Sequence, residues 1–194
     1  MKRPNMFAQV QKKYQAQSQA RRELIAKAND ALSKSKRAIF SLHRNDVKEA
    51  GDLLAHAAKQ FDSIEKTFRA IPELKEEGSY RAAVEEYAEA RLFEGYLKTK
   101  KIVVLEPRVN EPSIYLAGLS DATGEMVRYA TRQVTLGKPE VVADVQEVVA
   151  MVIEFMLDLD LTGYLRNKFD QAKKNLSHLE QMTYDLAIRR RDSV

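Results

Sequence analysis

Glycine and proline are nearly confined to a few places in this chain. Neither occurs within residues 5–50, 52–71, 140–162 or 164–194. Those stretches are rich in Ala, Leu, Glu, Lys, Arg and Gln, the residues that lose least on entering a helix. Apart from the short apolar run Ile102-Val103-Val104-Leu105, no stretch alternates apolar and polar residues as a half-buried strand does. The expected fold class is therefore all-α, a single-domain helical bundle over residues 1–194. At 194 residues the chain can bury a full core without covalent staples. It has no cysteine, which excludes disulfides, thiol nucleophiles, thiolate zinc sites and iron–sulfur clusters. A cysteine-free chain fits a reducing compartment, so a cytoplasmic location is expected. No run of 18 uncharged apolar residues occurs and the basic N-terminus has no apolar core, so neither a membrane span nor a secretory signal is expected.

Periodicity and punctuation divide the chain into six helices. The first covers about residues 6–44, with a possible internal break and a buried stripe through Leu24, Ile25, Ala28, Leu32, Ile39 and Leu42. The second covers about 46–70, with Asp46 as N-cap and Glu49 in the capping-box position. The third covers about 79–100 after Gly78, and the Leu105–Pro112 stretch reads as the clearest loop. The fourth covers about 113–136 and stops at Gly137-Lys138-Pro139. The fifth, about 140–161, is apolar around most of its circumference, which predicts a central core helix or one buried between subunits. The sixth covers about 163–190.

The formal net charge of +4 conceals a strong asymmetry. Residues 1–40 carry ten Lys and Arg against two acids, whereas residues 111–164 carry three against nine. Basic surface attracts polyanions such as nucleic acid. The acids need water, basic partners or a cation.

Two acidic motifs fall on different helices. Glu86 and Glu89 are three apart on the third, Asp121 and Glu125 four apart on the fourth, so each pair shares a face. Glu85 points elsewhere on its helix. Acidic pairs of this spacing are common on solvated faces. Here Leu116, Leu119 and Met126 flank Asp121, and Gly124 sits in mid-helix at a cost of about 1 kcal/mol relative to Ala. Such a glycine suits close packing or access to a site. If the two faces meet, four carboxylates converge and repel one another unless a cation joins them. Oxygen-only donors suit Mg²⁺ or Mn²⁺. Such a site can activate water and clamp phosphodiester oxygens.

Four stretches, in order, carry a family resemblance: Ser35-Lys36-Arg37-Ala38-Ile39-Phe40-Ser41-Leu42-His43-Arg44, Glu85-Glu86-Tyr87-Ala88-Glu89-Ala90, Tyr115 to Arg128 with its Asp121-Ala122-Thr123-Gly124-Glu125 centre, and Tyr184-Asp185-Leu186-Ala187-Ile188-Arg189. As a set they resemble the translin superfamily, closest to its translin-associated factor X branch. The resemblance implies a seven-helix all-α fold assembled as a hollow octamer, RNA as substrate and Mg²⁺-dependent endonuclease activity. Carried over by position, the catalytic and metal-holding acids are Glu86, Glu89, Asp121 and Glu125. With that set complete, a homo-oligomer is expected to need no partner chain for catalysis.

RNA contacts are expected from Lys36 and Arg37 in a basic band late in the first helix, and the resemblance implies further contacts from Tyr80 and Arg81, which fall shortly before the acids where the family's nucleic-acid-binding segment lies. Arg81 could instead pair with Glu85. Arg128 could contact phosphate or neutralise an acid, and His43 reads as structural. The leading expectation is a Mg²⁺- or Mn²⁺-dependent endoribonuclease acting on short or single-stranded RNA. Its rivals are a non-catalytic ring binding single-stranded RNA or DNA, and an all-α nucleotide pyrophosphatase, which also uses ExxE carboxylates.

Overall fold

The computed structural model describes residues 4–109 and 111–191, with only the backbone of Arg190 and Arg191. Six α-helices account for nearly all of these residues: α1 (Asn5–His43), α2 (Val47–Glu65), α3 (Gly78–Thr99), α4 (Pro112–Thr135), α5 (Val141–Leu157) and α6 (Gly163–Arg191). There is no strand among the described residues, and the Ile102–Leu105 run forms no regular element.

The absence of breakers between Pro4 and Gly51 has its full consequence in α1. The helix is continuous through the suspected internal break and extends about 58 Å at 1.5 Å per residue. Leu24, Ala28, Ala31, Ala38, Ile39 and Leu42 bury its C-terminal half, which packs on α2 and α3. Its first turns stand clear of the bundle, with Met6, Phe7, Val10 and Tyr14 exposed. Asp46 caps α2 by accepting a hydrogen bond from the Glu49 amide at 3.0 Å. The Glu49 carboxylate does not close a capping box. It instead accepts from Ser41 at 2.7 Å and from Arg44 at 2.9 Å, fastening the α1–α2 turn.

The inner helices are α3 and α4. Between them they bury Leu92, Phe93, Tyr96, Leu119 and Met126. Each such side chain contributes about 1.5–3 kcal/mol by leaving water. Glu94 is buried in α3 and stays paired, to Arg91 at 2.9 Å and Lys98 at 2.6 Å. The outer layer is completed by α5 and α6, which pack on α4 and on each other.

The fifth helix is not the central one. It ends at Leu157, four residues earlier than its apolar pattern predicts. Val142, Val145, Val149, Val152 and Met156 face inward, whereas Met151, Phe155 and Leu157 are about half exposed. With Val104, which is almost fully exposed, they leave an apolar face on the outside of the chain. No helix among the described residues is long and apolar enough to cross a membrane.

Candidate functional site

What joins the two acidic motifs is a glycine, and it is not Gly124. A Cβ added at Gly118 would lie 2.8 Å from Ala88 Cβ, 3.1 Å from the Glu85 carbonyl and 3.2 Å from the Glu89 amide. Only a hydrogen at this position lets α4 lie against the α3 turn that carries the acids. At Gly124 a Cβ would meet only Asn175 Nδ2, at an ordinary 3.5 Å. That residue therefore satisfies no packing demand of the kind its mid-helix position suggests.

The close approach brings Glu86, Glu89, Asp121 and Glu125 to the wall of one cleft of about 520 Å³. Glu85 lines it as well, contrary to the sequence reading, and so do Lys36, Arg128 and Lys168. Five carboxylates thus face three cations. Lys36 reaches across from α1 to Glu86 at 3.0 Å. Lys168, from α6, bridges Asp121 and Glu85, the latter at 2.8 Å. Tyr164, one turn earlier, donates its hydroxyl to Glu85 at 2.6 Å. Glu125 meets His43 Nε2 and lies 3.6 Å from Arg128. His43 is buried, so it is structural as expected, but what it positions is one of the site acids.

Glu89 has no such partner. Neither a hydrogen bond nor an ion pair reaches its carboxylate among the described residues. Burial first, and then the charges of Glu86, Asp121 and Glu125, push its pKa up to about 8. Glu86 and Asp121 are also raised, burial being the main cause in each. The folded chain therefore holds the Glu89 proton more tightly than the unfolded chain does. The stability this confers is complete below the ordinary carboxylate range and is lost as pH rises through about 8. In chelator, the melting temperature of the wild type is expected to fall more steeply between pH 6 and pH 9 than that of Glu89→Gln. Parallel profiles in a thermal melt would rule out a half-buried carboxylate with a raised pKa.

The remaining predicted contacts separate. Arg128 lies at the cleft with its guanidinium 5.0 Å from the ring of Phe40, an exposed aromatic that sequence reasoning passed over. Arg37 is exposed and only 3.9 Å from Glu49, outside the cleft lining. Tyr80 is in the core, packed edgewise on Phe61 and Phe68 with its hydroxyl on Glu65 at 3.1 Å, so it offers no face to a base. Arg81 pairs not with Glu85 but with Glu76 at 3.3 Å and Glu111 at 3.2 Å, and it donates to Ser113 at 2.8 Å. It clips the start of α3 to the start of α4. Both residues lie in the first turn of α3, which docks on the bundle, and a linear reading does not show that.

The donor set is chemically right for a hard divalent cation: carboxylate oxygens only, in an excess of negative charge. As the side chains stand, however, no group of three or more His, Asp or Glu among the described residues is arranged to hold an ion. Lys36, Lys168 and His43 engage the oxygens that would do so.

The sequence profile of the Translin family matches residues 19–190. Translin-associated protein X of Pongo abelii is 23% identical over 226 aligned residues, covering 94% of this chain and 78% of that protein. The Mus musculus protein of the same name is 22% identical over the same shares. Among solved structures, apo-NeC3PO superposes with a TM-score of 0.83 at 21% identity, covering 94% of this chain and 97% of that one. The AfC3PO–duplex RNA complex gives 0.83 at 22% identity, covering 95% and 98%.

Proposed function

The chain belongs to the Translin family, and on that premise we propose that it is a Mg²⁺- or Mn²⁺-dependent endoribonuclease whose site is the acid-lined cleft between α3 and α4. The observation that carries this reading is Glu89, a carboxylate held unpaired among four others in a partly buried cleft. Such an arrangement costs folding stability, and a bound dication offsets the cost. Glu86, Glu89, Asp121 and Glu125 are the residues that would hold it. When bound, it supplies Lewis acidity toward a phosphodiester and stabilises the charge that develops on its oxygens.

The chain's own side chains do the rest. Arg128 and Lys36 place positive charge at the cleft for phosphate. Phe40 and Tyr164 are exposed aromatics on opposite elements, α1 and α6, that both line it. Unpaired bases stack on such faces, which favours single-stranded or short RNA. AfC3PO, which shares this fold, has a solved structure in complex with duplex RNA, and that supports RNA as the substrate class. The exposed apolar face of α5 and the projecting start of α1 support an assembly of several copies, an octamer in keeping with the family resemblance.

The test is cleavage of end-labelled single-stranded and duplex RNA in Mg²⁺, Mn²⁺ or EDTA. Turnover in either metal and none in EDTA is expected. Phe40→Ala is expected to weaken RNA binding about five- to a hundredfold, the range of one lost base–aromatic stack, as read by fluorescence anisotropy in EDTA. Unchanged affinity would remove Phe40 from the binding surface.

One observation favours a second reading, a non-catalytic ring for single-stranded RNA or DNA: three of the four acids already have cationic or imidazole partners. It predicts binding without turnover, indifferent to chelator.

A further inference from the structure

Lys168 lies on a helix to which the sequence assigns no chemistry, yet it lines the acid cleft. Its ammonium contacts Asp121 and Glu85 together, and its side chain is about four-fifths buried. Tyr164 fixes this arrangement from one turn away. Its ring lies 5.2 Å from the ammonium, and its hydroxyl donates to Glu85 Oε1, the same oxygen that the ammonium contacts. The three side chains and Asp121 form one connected set in which a single ammonium serves two carboxylates.

A dication on Asp121 and a lysine ammonium on the same carboxylate repel each other at contact distance in a low-dielectric cleft. The two occupants therefore exclude each other. We infer that Lys168 is a tethered cation that competes with the divalent ion for Asp121, so that ion binding must eject its ammonium from the carboxylate pair. The ejected ammonium stays in the cleft, since α6 is docked on α4 through Asn175 and Thr123 at 2.8 Å. It then joins Lys36 and Arg128 as positive charge beside the acids for a substrate phosphate. This inference rests on the metal-dependent reading of the cleft. It adds a residue that sets how tightly the ion is held before RNA arrives.

The test is Mn²⁺ titration of the full chain by calorimetry without RNA. Lys168→Met keeps the aliphatic stem but removes the charge, and is expected to bind Mn²⁺ at least about tenfold more tightly than the wild type. Lys168→Arg keeps the charge and is expected to restore wild-type affinity, which a merely structural lysine would not predict. A second measurement uses the wild type alone. Reductive dimethylation followed by peptide mass spectrometry is expected to show Lys168 protected in EDTA and labelled several-fold faster with Mn²⁺. Equal or weaker Mn²⁺ binding by folded Lys168→Met overturns the inference, as does labelling of Lys168 that Mn²⁺ does not raise. If the wild type binds no Mn²⁺ at all, the metal-dependent reading fails and this inference fails with it.

Discussion

Glu89→Gln is expected to lower Mg²⁺-dependent RNA cleavage by at least about a hundredfold while leaving the fold intact. The size follows from the several kcal/mol that charge stabilisation at a phosphodiester supplies, at 1.36 kcal/mol per tenfold. The substitution keeps volume and hydrogen-bonding capacity. It removes a half-buried negative charge that no lysine, arginine or histidine offsets by direct contact. The metal-free variant should therefore be more stable than the wild type at pH 9, even though it is inactive. A residue kept for packing would show the opposite sign of stability change. Full activity in Glu89→Gln would end the nuclease reading. Loss of activity together with a lower melting temperature at pH 9 would mean that Glu89 supports the fold instead.

Gly118→Ala is expected to have the other large effect. The new Cβ would stand 2.8 Å from Ala88 Cβ, with backbone atoms of Glu85 and Glu89 just beyond. None of these is the end of a flexible chain, so α3 and α4 must part. Overpacking of this kind costs about 1–3 kcal/mol. For a chain of this size that lowers the melting temperature by roughly 2–4 °C for each kcal/mol. Activity should fall further than stability, because separating the helices moves Glu86 and Glu89 away from Asp121 and Glu125. Gly124→Ala is the control. With only Asn175 Nδ2 at 3.5 Å it should be tolerated, and helix propensity favours it. If the two variants melt and cleave alike, the close approach at Gly118 does not organise the site.

The helical architecture was legible because helix content follows from local signals. Runs without Gly or Pro set the long helices, and Asp46, Gly78 and Pro112 mark starts within a residue or two of those observed. The acid set was legible for a related reason, since positions three or four apart must share a helical face. What lay beyond local signals was which other faces meet them. Glu85 joins the cleft because α6 brings Lys168 and Tyr164 to it from about eighty residues away. The burial of Tyr80 depends on Phe61 and Phe68, which belong to the preceding segment. The fifth helix misled for a different reason. An all-round apolar helix can be central or can lie at an edge with one face uncovered by its own chain, and periodicity is the same for both. His43 read as structural and is buried, but its contact with Glu125 spans 82 positions and has no local signature.

Dividing the acids between two helices has a bearing on which length changes the chain could survive. An added residue between Glu86 and Glu89 would swing one carboxylate about 100° around the α3 axis relative to the other. The same addition in the irregular stretch between α3 and α4 would leave both faces in register, because Gly118 and Ala88 set their meeting and the connecting stretch does not. Natural variation in length should therefore gather between the helices, while the spacing inside each acidic motif stays fixed to the residue.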